Sequence, residues 1–368
     1  MKKKVQLITV FVFCAFLGVL TILNFMNPDK EFSENENRYL KQFPEFSIKK
    51  LLKNSYTSEL DTYLNDQFIF RDNWIGIKAF SKIGTGSIEN NGVYIGKNKT
   101  LIQMFSSYDE NTLNKSISQI NKFVENLDIP AQLMIVPTAS DIDQDLLPMF
   151  SFNINQENIL AVIESQVKGD WINVSDALAN QKDVYFKTDH HWNSHGAYLA
   201  YKAYCLQNKL NEEQFDFEKV TDDFKGTLLS KAGVFWYPGD AMYKMIPQKS
   251  IKSEVIFEDG TSMDSLFDSQ KLVEKDKYAY YLGGNHSLVT IKNEGVVNDQ
   301  GKILVVKDSY AHIFIPYLAS HYSEIIMVDL RYYRLPLTEL IASEDINQVL
   351  FLYNLENFVT EKNFAFLR

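Results

Sequence analysis

The stretch KTDHHWNSHGAYLAY, residues 187–201, places Asp189, His190, His191 and His195 within seven positions of a chain that has only six histidines. A carboxylate among imidazoles can serve three ends. Asp189 and His191 are two apart, so in an extended segment both side chains point to one side. The carboxylate can then orient an imidazole whose other nitrogen faces a nucleophile. His191 and His195 instead have H-x-x-x-H spacing, and with Asp189 they make a three-ligand metal set if both histidines share a helix face. The plain alternative is that these residues cap and pack. Asn193–Ser194 reads as a helix cap, which leaves His191 outside the helix. No Glu follows the first histidine as in H-E-x-x-H zincins. The acid–base reading is therefore the working one. It has His190 pointing the opposite way and His195 in the first turns of the helix, with no metal and no cofactor.

A nucleophile for that pair is offered by ILVVKDSYA, where Ser309 follows an apolar run directly and precedes a helical pattern. A hydroxyl there is presented at a sheet edge, and the backbone N–H groups of Ser309 or Tyr310 are close enough to hold an oxyanion. Alone, the Asp308-Ser309 pair reads first as a helix cap. Arg331 in VDLRYY ends another apolar run and could bind a substrate oxygen, or form a salt bridge with Asp329. Asn285 in YLGGNHS could donate to an oxyanion, or be a turn residue only.

The elements that must position these groups alternate in type. KILVVKDS, EIIMVDLR and QVLFLYN read as strands, separated by the helical stretches YAHIFIPYLASHY and LTELIAS, the pattern of parallel βαβ units. Earlier, AQLMIVPT, DWINVSD and DVYFKTD read as strands, and helices are expected over DENTLNKSISQINKFVENL, QENILAVIESQVK and the stretch from Asn193. NGVYIGKNKTLIQMF reads as two strands around a turn at Gly96-Lys97-Asn98, and YAYYLGG with LVTIKN as a hairpin. The fold class expected is α/β, a doubly wound parallel sheet with helices on both faces. Ligands of such sheets sit beyond the carboxyl ends of the strands, where Ser309, Arg331 and Asn354 all fall.

The N-terminus implies export. MKKK precedes 22 uncharged residues, Val5 to Met26, and a helix of that length spans about 33 Å, enough to cross a bilayer core. The leading lysines predict a cytoplasmic N-terminus and an extracytoplasmic main domain at the cell membrane. No small-residue cleavage site closes the run, so it reads as a signal anchor over 1–26. Residues 27–84 read as a juxtamembrane segment and 85–368 as the main domain. The net charge of −10 argues against a nucleic-acid partner. Cys14 and Cys205 are too differently placed to pair, and 20 Tyr with 26 Phe suit a packed core or, on a surface, carbohydrate stacking.

The segments TDHHWN, KDSYAHIFIPYLASHYSEIIMVDLRYY and ENRYLKQFPEFS together resemble the DHHW protein family, whose members are membrane-anchored bacterial proteins related to the SGNH hydrolase-like domains of alginate O-acetylation proteins. The resemblance runs from about residue 34 to the end. It implies an SGNH hydrolase-like (flavodoxin-like) domain with Asp189, His191 and Ser309 as acid, base and nucleophile, in the chain order of the alginate relatives and the reverse of ordinary SGNH hydrolases. It departs from the family pattern at Lys307, where a G-D-S motif has glycine. What it implies for function is an O-acetyltransferase or acetylesterase acting on a cell-surface polysaccharide of the cell envelope, beside a membrane-bound O-acyltransferase partner. The alternative is a non-catalytic glycan-binding or scaffold protein that keeps the fold.

Overall fold

Runs such as ILVV, EIIMV and VLFLY are apolar at every position rather than at alternate ones, which suits strands covered on both faces. In the computed structural model, which describes residues 2–36 and 38–368, they lie at the centre of an eight-stranded sheet. Its strands are β1 Ala131–Val136, β2 Asp170–Trp171, β3 Lys252–Phe257, β4 Ser262–Met263, β5 Leu288–Glu294, β6 Lys302–Lys307, β7 Glu324–Val328 and β8 Gln348–Asn354. The order across the sheet is β4-β3-β5-β7-β6-β8-β1-β2. Strands β7, β6, β8, β1 and β2 run parallel, and β5, β3 and β4 extend that sheet in antiparallel sense.

The sheet has helices on both faces because successive residues of each strand point to opposite sides. Ile303 and Val305 of β6 share a core with Ala200 and Tyr201 of helix Ser194–Asn208 and with Ile313 and Phe314 of helix Ala311–Leu318. Leu304 and Val306 pack on the other side, with Ile117 and Ile120 of helix Glu110–Glu125 and Ile163 of helix Gln156–Gln166. These four β6 residues are fully buried, each contributing about 1.5–3 kcal/mol of transfer free energy. The fold is thus α/β as expected, with one correction: the sheet is mixed rather than wholly parallel.

The antiparallel part arises where no crossover helix precedes a strand. LVTIKN does not pair with YAYYLGG; it joins β3 on one side and β7 on the other. Tyr278 and Tyr280 are drawn into the core in a 3₁₀ turn instead, so their backbone offers no ladder. DVYFKTD is likewise not a strand; a single bridge, Tyr185 to Trp192, closes a hairpin there. DWINVSD shortens to the two residues of β2 before a turn of helix at Ser175–Leu178. The expected pair of strands around Gly96 forms, as Val93–Ile95 with Leu101–Gln103.

The chain divides into two compact units, Met1–Ser87 with Gly233–Trp236, and Ile88–Ala232 with Tyr237–Arg368. The first contains helix Lys2–Met26, of which Lys3–Met26 is long and apolar enough to cross a membrane and is not buried against protein. It also contains helices Ser55–Asp66 and Arg71–Gly84. Its buried Asp66 accepts from the Arg38 guanidinium, Nη1 to Oδ2 at 2.9 Å, and from the Lys41 N–H at 2.9 Å. The arginine of ENRYL therefore anchors this unit's loop to its helix.

In the larger unit Asp143 carries a stored cost. Burial, with Asp145 and Asp183 nearby, pushes its carboxyl up to about 6. Its unfolded value is about 3.9, so the folded chain binds more protons between these values and stability falls as pH rises from about 4 through 6. Asp143→Asn is expected to stabilise the protein by about 3 kcal/mol at pH 8 and by almost nothing at pH 4. Thermal unfolding of both forms at the two pH values checks this; an equal gain at both would show that ionisation is not the cause.

Candidate active site

Strand β6 sits between β7 and β8 and delivers Lys307, Asp308 and Ser309 to its carboxyl end. The turn there is held by Asp308, which is buried. Its Oδ1 accepts from the Tyr310 N–H at 2.8 Å, and its Oδ2 from the Asn354 N–H at 2.9 Å and Asn357 Nδ2 at 2.8 Å. Burial nonetheless pushes its carboxyl above the usual range. Tyr310 N–H is thereby occupied, whereas Ser309 N–H has no acceptor among the described residues. Of the two backbone donors expected for an oxyanion, Ser309 N–H is the one left open. The Ser309 side chain lies at a partly exposed position.

The hairpin 185–192 brings Asp189 and His191 to Ser309. His191 Nε2 lies 2.7 Å from Ser309 Oγ, and His191 Nδ1 lies 2.5 Å from Asp189 Oδ1. Asp189 Oδ1 also accepts the His191 N–H at 3.1 Å. Its Oδ2 takes the Thr227 N–H at 2.7 Å and the Thr227 hydroxyl at 2.9 Å. Burial would push the Asp189 carboxyl up, but the His190 and His191 imidazoles and these hydrogen bonds outweigh it and hold the carboxyl well below the usual range. An ionised Asp189 takes a proton-bearing Nδ1, so the network assigns Nε2 as the acceptor for the Ser309 hydroxyl.

The segment that does this is a bend, not an extended strand, so side-chain alternation does not hold. His190 does not point away: its ring lies 3.9 Å from that of His191, centroid to centroid, and its Nδ1 meets Thr227 Oγ1 at 2.8 Å. Burial, reinforced by His191, pushes His190 down to about 4, which leaves it neutral at physiological pH. His195 caps no part of this cluster; it is exposed in the first turn of helix Ser194–Asn208, which Asn193 caps by accepting from His195 N and Gly196 N. Among the described residues the three ligand-type groups within reach of one ion are Asp189, His190 and His191, so His195 does not join the metal set that its spacing suggested. Both nitrogens of His191 and both oxygens of Asp189 already have partners here.

Other contacts had no signal in sequence. Tyr278 stacks on the His191 ring at 3.9 Å and 9°, and its hydroxyl donates to the Ser309 carbonyl oxygen at 3.1 Å. One ring thus holds both the imidazole and the serine backbone. Tyr278→Leu is expected to lower ester turnover roughly 10- to 100-fold by loosening that alignment. Tyr278→Phe keeps the stack and loses one hydrogen bond, about fivefold. Rates with 4-nitrophenyl acetate would separate them; equal losses would assign the effect to the hydrogen bond alone. Asp240 accepts from Lys187 N, Thr188 N and the Thr188 hydroxyl at 2.9, 2.8 and 2.6 Å, which pins the residue before Asp189.

Arg331 and Asn285 are joined to one another by a hydrogen bond. Arg331 clasps Asp329 with Nε at 2.9 Å and Nη2 at 2.6 Å, and the same Nη2 donates to Asn285 Oδ1 at 3.1 Å. Lys307 is fully buried, its Nζ 3.3 Å from Asp329 Oδ2 and 2.8 Å from His312 Nε2. Burial lowers its affinity for a proton, opposed by Asp329. The lysine that departs from G-D-S is therefore a core ion-pair member.

The family described as "DHHW protein" matches residues 81–328. No curated protein matches the chain. Among solved structures, a DHHW family protein from Eubacterium siraeum is similar with a TM-score of 0.66 and 23% identity, over 76% of this chain and 96% of that one. Bacillus cereus PatB1 bearing a sulfonyl adduct is similar with a TM-score of 0.62 and 20% identity, over 74% of this chain and 97% of its own. Both likenesses lie in the fold.

Proposed function

From the premise that the chain belongs to the DHHW protein family, we propose that it is a membrane-anchored, extracytoplasmic SGNH-like enzyme that moves an acetyl group by way of an acyl-serine, an O-acetyltransferase or acetylesterase for a cell-surface polysaccharide. The observation that carries this reading is the hydrogen-bonded line from Ser309 Oγ through His191 to Asp189, at 2.7 and 2.5 Å. Such a line is what a hydroxyl needs to become a nucleophile at neutral pH.

In this reading Ser309 Oγ bonds to the acetyl carbonyl carbon as His191 Nε2 takes its proton, and Asp189 stabilises the imidazolium. The oxyanion is held by Ser309 N–H. The carbon–oxygen bond to the donor breaks, and His191 returns the proton to the leaving oxygen. A sugar hydroxyl or water, deprotonated by the same imidazole, then releases the acetyl group. The acetyl donor reaches the outer face through a membrane-bound acyltransferase partner. Helix Lys3–Met26 holds the chain at the membrane with 27–84 as spacer, and the catalytic domain begins near residue 85.

The test uses the full-length chain in detergent with phenylmethylsulfonyl fluoride, read by intact mass and peptide mapping. A single sulfonyl adduct on Ser309, absent from His191→Ala, is expected. An unmodified Ser309 after prolonged exposure would sink the enzyme reading.

A further inference from the structure

The function above leaves one part of KTDHHWNSHGAYLAY unused. His195 and Tyr198, on the first turns of helix Ser194–Asn208, line a half-open cavity of about 720 Å³ together with Tyr185, Phe186 and Lys187 of the hairpin that carries Asp189 and His191. Neither Ser309 nor His191 lines it. The volume lies in the range that takes a ligand of about two or three sugar rings.

Its lining has two kinds of group. Tyr198, Phe217 and Tyr243 supply aromatic faces, and Phe217 is 41% exposed, a large ring left open on strand Phe215–Phe224. Around them stand Lys99, Lys187, Asp183 and Asp240. Two cations and two anions cancel, so the cavity offers donors and acceptors without net charge. Flat apolar faces ringed by balanced polar groups suit pyranose rings, whose C–H faces stack on aromatics while their hydroxyls both donate and accept. A phosphate or a polyanion would find no net positive charge here to offset its desolvation.

The backbone adds an independent sign. Asn98, Lys99 and Asp183 are all left-handed, with φ of 55°, 60° and 55°, and all three line this cavity. Lys99 in particular takes a conformation that costs a side-chain-bearing residue about 1 kcal/mol or more, and such outliers gather at ligand clamps. The wall is also tied to the catalytic hairpin. Asp240 in the wall holds Lys187 N, Thr188 N and the Thr188 hydroxyl, immediately before Asp189.

We propose that this cavity is a binding subsite for a neutral glycan segment, which holds the polysaccharide against the hairpin while Ser309 handles the acetyl group. The proposal rests on the glycan-acetylation reading for its ligand class, and its test is separable from it. Calorimetric titration of the full-length Ser309→Ala chain in detergent with cellotetraose, chitotetraose and xylotetraose, beside tetragalacturonate, reads binding without turnover. At least one neutral tetramer is expected to bind Ser309→Ala and the unsubstituted chain alike, with little dependence on salt. Tyr243→Ala and Phe217→Ala are each expected to weaken it about tenfold, with thermal unfolding showing that both fold. Absence of binding by every neutral tetramer, unchanged affinity in both folded variants, or binding only of the acidic tetramer with steep salt dependence would overturn it. A sulfonyl adduct on Ser309 without glycan binding removes the cavity alone; glycan binding without the adduct removes the enzyme reading and leaves the cavity.

Discussion

Replacing Ser309 by alanine in the full-length chain is expected to lower turnover of 4-nitrophenyl acetate by roughly 10⁴-fold or more, to the level set by the remaining oxyanion donor and binding alone. His191→Ala should cost about as much, and the double variant no more than either single one, because the groups act as a unit. The geometry gives the reason. Ser309 Oγ has its proton acceptor at 2.7 Å, and that acceptor has one orienting oxygen at 2.5 Å, so removing either end leaves an ordinary hydroxyl or an unassisted imidazole. Asp189→Asn is the sharper probe. Its amide can still accept from Nδ1–H through its oxygen, but it also offers donors to a site that wants only acceptors, since Thr227 N–H already points at Oδ2 at 2.7 Å. A loss near 10⁴ with the fold intact is expected. Additive losses in the double variant would show that the residues do not share one step.

The second large effect comes from a residue with no chemistry of its own. Gly226→Ala would place a methyl group 2.6 Å from Asp189 Oδ2 and 2.7 Å from the Thr188 carbonyl oxygen, a hydrogen-bonded side chain and a backbone atom that cannot yield by a rotamer change. Gly226 N–H also donates to the Thr188 hydroxyl at 3.0 Å, and its neighbour Thr227 supplies both bonds to Asp189 Oδ2. The alanine must therefore push the hairpin and the Thr227 turn apart. A shift near 1 Å at such a site costs about 10²-fold in turnover, and overpacking adds about 1–3 kcal/mol of destabilisation. Both are measurable on one preparation, by ester hydrolysis and thermal unfolding. Wild-type turnover in a folded Gly226→Ala chain would mean that Asp189 is not held by this contact.

The sequence pointed to Ser309 only once the Asp189–His191 pair asked for a nucleophile at a strand end, since alone it reads as a cap, and to Asp189 and His191 because the cap at Asn193 divides the histidines. These three residues lie in one hydrogen-bonded line. The parallel strands were legible for the same reason: β6, β7 and β8 are buried on both faces and show it at every position. The antiparallel extension was not, because β5 takes its partners from β3, more than thirty residues earlier, and from β7 after it. Thr227, Gly226 and Tyr278 escaped notice because each meets the site only through folding; Thr227 is 38 residues from Asp189 and Tyr278 is 31 from Ser309. His190 was placed wrongly by an alternation rule that holds for strands, in a segment that is a bend. Arg331 and Asn285 were read from strand-end and turn positions, and the hydrogen bond between them had no signal in sequence.

The position of β8 governs when the site can exist. It is the last strand made, yet it enters between β6 and β1 in the middle of the sheet. Asn354 at its end, with Asn357 just beyond, supplies two of the three hydrogen bonds that hold Asp308 beside the serine. Until residues 348–357 have emerged, β6 lacks one neighbour and the Ser309 turn lacks its brace, while Asp189 and His191 have long been available. A chain made from its N-terminus would thus present Asp189 and His191 first and gain the brace of the Ser309 turn only when residues 348–357 arrive. The topology works as a latch on completeness: a truncated or stalled chain displays the imidazole without an aligned nucleophile.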